Sequence, residues 1–331
     1  MQKYFATIAF LCFVLVIATF YAVFYTPWLA VAYLPDFVGR YGEGWQLRSL
    51  QIGGQSFQFP ETVKFYRLSG ELQKEDAVYR FDMAEAIPEE IFSLWKAKRQ
   101  ANVTCTGVNI SGQDVEIRQA NMKVMLTASP STELAMDVTG HAAAVFFRRY
   151  HFQNITARLK TDSKQCQISE LTTNLYGGRA QGEIQINFQN REVFSAIEFS
   201  GIKSETMEEI NKPFFSQLSA QFDGSLRLKM TGDWVEILAL HATMPKGSKL
   251  HFRMIKAMSA YLTHEESIQR IESIIERAIE LPLDSADIHI LNTSGNLAAV
   301  TFILRSKRYG LDIQETVNMD IKRLIQKVSF P

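Results

Sequence analysis

Leu171-Thr-Thr-Asn-Leu-Tyr-Gly-Gly-Arg-Ala-Gln-Gly182, running directly into Glu183-Ile-Gln-Ile-Asn-Phe188, is the stretch from which the fold is read. In its second half Ile184, Ile186 and Phe188 alternate with Glu183, Gln185 and Asn187. A period of two is that of a strand with one apolar and one wet face. Just upstream, Tyr176-Gly177-Gly178-Arg179 carries glycines that reach positive φ without strain, which predicts a hairpin turn.

The same alternation recurs on both sides. Leu226, Leu228 and Met230 flank Arg227 and Lys229; Ile155, Ala157 and Leu159 flank Thr156 and Arg158; Leu134, Met136 and Val138 repeat the spacing. Further strands are expected at Val115–Ile117, Phe194–Phe199, Leu250–Met254, Ile288–Leu291, Val300–Leu304 and Leu311–Ile313. Turn signals separate them at short intervals, at Gly53-Gly54, Ser111-Gly112, Asp223-Gly224, Thr231-Gly232-Asp233, Lys246-Gly247 and Ser294-Gly295-Asn296. Such spacing suits sequential antiparallel strands rather than crossover units. Three segments read as helical: Pro88–Lys98, part of Ser204–Leu218 around Pro213, and a stretch opened by the capping box of Thr263 and Glu266. In the last, Ile268, Ile271, Ile275 and Ile279 trace one face and Pro282 marks the end, so the helix would lie along a sheet or plug its open end.

The N-terminus carries a different signal. Tyr4 to Tyr25 is 22 residues without Pro, Gly or any charge. As a helix rising ~1.5 Å per residue it spans ~33 Å, enough for a bilayer core of ~30 Å. Ala30-Val31-Ala32 has the small-x-small form of a signal-peptidase site, but a signal's apolar region runs only ~7 to 15 residues, so an uncleaved anchor is the preferred reading. Tyr21, Tyr25, Trp28 and Tyr33 crowd its far end, as aromatic rings do at headgroups, and Lys3 weakly places the N-terminus in the cytoplasm. Residues 1–35 are therefore read as a single-pass anchor and 36–331 as the outer region, with an internal boundary near 140.

Composition bounds the function. The chain has 35 basic and 35 acidic side chains, without the cationic surplus of a nucleic-acid binder. With 47% hydrophobic residues, 23 of them Phe, it is no disordered chain. Three cysteines build no disulfide scaffold; Cys105 and Cys166 would pair in an oxidising compartment if neighbouring strands met there, and buried thiols serve equally well. The six histidines, His141, His151, His241, His251, His264 and His289, are scattered: two pairs lie ten apart, without carboxylates at ligand spacing. Nucleophile-elbow, phosphate-loop and zinc-protease signatures are absent, and Glu89-Glu90, Glu208-Glu209 and Glu265-Glu266 suit helix starts better than catalysis. No catalytic residue, cofactor site or metal site is expected.

The segment Leu171–Gly182 with its following strand, then Leu218-Ser-Ala-Gln-Phe-Asp-Gly224 and Leu226-Arg-Leu-Lys-Met-Thr-Gly232, resembles the recurring elements of the AsmA-like superfamily of bacterial envelope proteins, AsmA, TamB and YdbH among them. Ala299 to Lys327 is similar to the end of YdbH-type domains. The resemblance covers roughly 1–50 and 140–331. It implies an N-terminal transmembrane helix followed by a long, curled, taco-like antiparallel sheet with a few short helices. It also implies inner-membrane anchoring, a periplasmic bulk, and an apolar β-groove that shields acyl chains in phospholipid transport or outer-membrane assembly, without catalysis. Expected partners are phospholipids, the inner membrane and another envelope protein completing a bridge, since this chain is shorter than typical members. Ile184, Ile186, Phe188, Leu226, Leu228 and Met230 are the expected groove lining. The competing expectation is a non-catalytic envelope or secretion-complex scaffold with a closed β core.

Overall fold

Alternating apolar residues become strand after strand. The computed structural model describes residues 45–58, 62–89, 100–128, 134–148, 150–162, 164–208, 212, 215–232, 234–259, 265–275, 279–294 and 297–321, with residues 31 and 35. The expected anchor, Tyr4 to Tyr25, lies outside these residues. Among those described, no helix is long and apolar enough to cross a membrane.

Fifteen strands form one antiparallel sheet whose hydrogen-bonded order follows the chain. They are β1 (Trp45–Gln58), β2 (Thr62–Lys74), β3 (Ala77–Glu89), β4 (Gln100–Ser111), β5 (Val115–Ala128), β6 (Leu134–Phe147), β7 (Tyr150–Thr161), β8 (Gln165–Leu175), β9 (Gly178–Asn187), β10 (Glu192–Lys203), β12 (Gln221–Thr231), β13 (Trp234–Met244), β16 (Ser285–Ser294), β17 (Leu297–Ser306) and β18 (Leu311–Asp320). A three-stranded sheet joins β11 (Leu218–Ser219), β14 (Lys249–His251) and β15 (Glu280–Pro282). Two helices, α1 (Phe252–Ser259) and α2 (Glu265–Ile275), and two short 3-10 turns, Ser204–Met207 and Lys307–Tyr309, complete the regular structure described. The chain divides into two units, Met1–Arg148 with Arg158–Ser163, and Arg149–Ala157 with Lys164–Pro331.

In the first unit one face is apolar. Leu68, Ala86, Cys105, Val108, Ala120 and Ala142 are its buried centre, with Ile52, Phe65, Met83 and Ile117 packed beside them. Alternation slips along a row of left-handed residues. Gly107 (φ 61°) in β4 and Gln119 (φ 50°) in β5 form paired bulges. Their amides are held by side chains: Gly107 donates to Asn121 Oδ1 at 3.0 Å, and Gln119 donates to Asn109 Oδ1 at 2.8 Å. A bulge adds one residue and bends its strand, so these short bonds keep the apolar residues in register across it.

On the opposite face Arg158 grips Asp137 with two bonds, Nε to Oδ1 at 3.0 Å and Nη2 to Oδ2 at 2.7 Å. That fork holds the Asp137 carboxyl below its ordinary range. A depressed carboxyl stabilises the fold above the unfolded value of about pH 4 and ceases to as pH falls through the folded one. Asp137→Asn should therefore flatten the acid limb of the stability profile below about pH 4, by under ~1 kcal/mol because Arg158 is partly exposed. Urea titrations of both proteins from acid to neutral pH check this; an unchanged acid limb refutes it.

In the second unit the helices cover one end of the sheet. Ile255 of α1 and Ile271 and Ile274 of α2 meet Leu250, Leu281, Leu283, Leu304 and Ile313 in one buried cluster. Glu265 and Glu266 suit the first turn of α2, where backbone amides present partial positive charge. The helix differs in two respects from its sequence reading. Its described residues run to Ile275, Ile279 is not helical and is 71% exposed, and Pro282 belongs to β15. Backbone pairing of Leu250 with Leu281 competes for this segment and wins, because it buries Leu281 completely. Ser204, also fully buried, ties this end together: its Oγ donates to the Leu218 carbonyl at 2.7 Å and accepts from Ala220 N at 2.9 Å.

Other expectations change too. Pro88 pairs with Val103 inside β3 rather than opening a helix, and residues 90–99 lie outside those described. Thr263 and Pro213 also fall outside. Gly53-Gly54 and Asp223-Gly224 sit within β1 and β12 rather than in turns. At Gly224 the reason is close approach: a Cβ there would stand 2.0 Å from the His241 carbonyl oxygen and 2.9 Å from the Phe199 ring. Gly224→Ala should cost ~1–3 kcal/mol by forcing β12 from β13. A midpoint in chemical denaturation equal to that of the parent would refute the clash.

Candidate functional site

Directly opposed residues in an antiparallel pair share a face. In the second unit this rule assembles a single apolar surface. Ile184 opposes both Ile168 and Ser195, and Ser195 opposes Leu228, which opposes Leu238. Beside that row, Ile186 opposes Val193, Val193 opposes Met230, and Met230 opposes Val235. On the other side, Ile197 opposes Leu226, Leu226 opposes Leu240, and Leu240 opposes Ile290. Five of the six residues named from sequence, Ile184, Ile186, Leu226, Leu228 and Met230, thus lie on one face and stay half-buried. Phe188 lies one residue beyond the end of β9, in the turn, 51% exposed. Its amide donates to the Lys164 carbonyl at 2.8 Å.

Bulges keep this face apolar where the sequence does not alternate. Glu170 (φ 55°) lets Ile168 and Leu171, three apart, oppose Ile184 and Gly182. Gly201 (φ 65°) does the same for Phe199 and Ile202 in β10, and its amide donates to Asp223 Oδ1 at 2.7 Å. Val193, Leu238 and Leu240 join the surface although no periodicity singled them out, and Ile197 and Ile290 join it from the strands expected at Phe194–Phe199 and Ile288–Leu291. In β10 both faces carry apolar residues, Phe194 and Ala196 opposing Lys229 and Arg227; only the register separates them.

The reverse face carries the charged side chains, among them Arg227 and Lys229, beside Phe194, Ala196 and Ile237. Lys229 Nζ lies 2.9 Å from Glu192 Oε1 and 2.6 Å from Glu236 Oε2. The two carboxylates, Glu192 foremost, raise the ammonium's pKa, and Lys229 with the Thr231 hydroxyl lowers that of Glu236. This three-strand clamp holds Lys229 on the wet side and so turns Leu228 and Met230 to the other. A shallow cavity of about 440 Å³ crosses β8, β9, β10 and β12 between Leu171, Gly182, Ile197 and Leu226 and the polar Gln181, Glu198 and Arg227.

The apolar surface has two regions. Near α1 and α2 it is roofed: Ala286, Phe302, Leu304 and Ile313 are buried beneath helices. At the far end of the strands Val235, Ala298 and Ile321 make a smaller buried cluster, with Leu228, Met230, Leu238 and Ile290 packed at its side.

Histidine positions do not follow their sequence spacing. His241 opposes His289 across β13 and β16, with rings stacked 4.2 Å apart at 15°, while His251 sits in β14 beside Phe252. Among the described residues no group of three His, Cys, Asp or Glu is placed to hold a metal ion. Cys105 and Cys166 are not joined by a disulfide, and burial pushes the Cys105 thiol upward, away from the reactive thiolate. No family model, curated protein or solved structure matches the chain.

Proposed function

We propose that this chain shields acyl chains on the apolar face of its second unit, as a membrane-anchored envelope protein supporting phospholipid transport or outer-membrane assembly. The observation that carries the reading is the half-buried surface of Ile184, Ile186, Leu226, Leu228 and Met230, which register gathers on one side of the sheet. Side chains of this kind gain ~25 cal/mol per Å² from any apolar cover, lipid tails included. Resemblance to AsmA-like proteins and the apolar segment Tyr4–Tyr25 support the same reading: a taco-like curl of the sheet, inner-membrane anchoring with the N-terminus cytoplasmic, a periplasmic bulk, and a further envelope protein completing the bridge. In this reading the chain binds and releases lipid without catalysis or cofactor.

A second reading, an envelope or secretion-complex scaffold, is favoured by the closed core around Leu250 and Leu281, where helices roof the sheet. Native mass spectrometry with lipid extraction separates the two, on the chain from Val38 onward expressed into the periplasm. Stoichiometric phospholipid is the expected result; a stable, lipid-free protein would favour the scaffold.

A further inference from the structure

The charged face of the second unit carries an apolar patch of its own. Successive side chains of a strand point to opposite faces, and directly opposed residues share one. Arg227 opposes Ala239, Ala239 opposes Leu291, Leu291 opposes Ala299, and Ala299 opposes Asn318. This row therefore lies on the face of Arg227, away from Leu226, Leu240 and Ile290. Ile237, which opposes Lys229, stands two residues before Ala239 in β13, and Leu297, which opposes Asp320, stands two before Ala299 in β17. Both strands run antiparallel to β16, so Ile237 and Leu297 lie on the same side of the row and flank Leu291 diagonally, within reach of its side chain. Ile237, Leu291 and Leu297 are 45%, 54% and 46% exposed. Large apolar tips that adjoin one another on a face bearing charges mark an interaction site.

The patch complements itself. A twofold axis along β16 beside Leu291 lays two such faces together: Leu291 meets Leu291 of the second copy, Ile237 meets Leu297, and Ala239 meets Ala299. Alanines at the last pair let the sheets close to the ~10 Å of aligned packing. The flanks match as well. β12 brings Arg227, which makes no ion pair among the described residues, and β18 brings Asn318 and Asp320; the same axis sets one flank over the other. Five strands of ten or eleven residues, ~4.8 Å apart, present ~800 Å². That is the area each partner buries in a standard interface, ~800 Å². With 35 basic and 35 acidic side chains, no net charge holds two copies apart.

We propose that the second unit pairs with a second copy of this chain through this face, the twofold axis running beside Leu291. The surface of Ile184, Leu228 and Met230 lies on the other face, so pairing goes beyond the acyl-shielding reading and does not depend on it.

The test uses the full chain carrying Cys12→Ser, in membranes of the expression host, with a short bis-maleimide crosslinker. Leu291→Cys should give a covalent dimer of the chain. Gln167→Cys, on the same face but five strands away in β8, should stay at the level of the Cys12→Ser parent. Ile237→Cys and Leu297→Cys should link to each other when co-expressed, and less when each is alone. Equal yields at every position, or linkage of Leu291→Cys only to other proteins, would overturn the pairing. Sedimentation of the detergent-solubilised chain gives an independent reading: two copies are expected for the parent, and Leu291→Lys should raise the dissociation constant about tenfold or more, because it buries two like charges at the axis. Leu291 is half-exposed, so the variant should keep its fold, which circular dichroism checks. A parent that stays single, or a folded Leu291→Lys chain that pairs as tightly as the parent, refutes the proposal. Extracted phospholipid reports separately: a paired chain without lipid defeats the acyl-shielding reading alone, and a single chain that retains lipid defeats pairing alone.

Discussion

Phospholipid carried through purification should fall about ten- to a hundredfold when Ile186 is replaced by Asp, while the sheet stays folded. Ile186 is half-buried on the apolar face, between Cys166 of β8 and Val193 of β10. Losing its contact with a lipid tail forfeits ~1.5–3 kcal/mol, and every 1.4 kcal/mol is about tenfold in occupancy. The carboxylate adds a desolvation cost against the tail but keeps water in the empty protein. A solid core at this position predicts the opposite pattern. An unpartnered buried charge would then unfold the unit, and lipid content would be beside the point. Circular dichroism with extracted-lipid analysis on one preparation reads both outcomes, and unchanged occupancy in a folded variant would remove Ile186 from the proposed lining.

Leu281→Ala should have the largest effect on stability, ~3–5 kcal/mol, lowering the unfolding temperature on the order of 10 °C. Leu281 has no exposed surface and opposes Leu250, itself 1% exposed, in the small sheet beneath α1 and α2. The cavity left behind is walled by residues from both helices and both sheets, which cannot all collapse into it. Chemical denaturation gives the value directly; a loss under ~1 kcal/mol would mean that the roofed end is loosely packed. The roof then becomes a candidate moving part, since elements with little buried contact open first.

The strands themselves were legible because alternation is a local property. Ile184 and Ile186, and Leu226, Leu228 and Met230, announce an apolar face through a period of two that needs no partner to be seen. Helix α2 was legible as an amphipathic stretch, and the hairpin at Gly177 as a glycine that must take positive φ, 74° here. The end of α2 was not, since nothing near Ile279 in the chain records that Leu281 will find Leu250.

Which face meets which is a tertiary matter. Register brings Ile184 and Leu228 to one surface through Ser195, a polar residue that no apolar pattern would include. Bulges at Glu170, midway along β8, and Gly201, near the end of β10, reverse the alternation, so a strict period-two reading assigns Leu171 and Ile202 to the wrong side. Likewise, His241 found His289 rather than the nearer-spaced His251, because neighbours in a sheet are chosen by strand order. By itself the sequence determined a one-sided β protein and an apolar N-terminal segment, because periodicity and hydropathy are written in consecutive residues. Only the tertiary structure decided how the apolar stripes join, where helices roof them and where they stay half-exposed, because those depend on pairings between residues far apart in the chain.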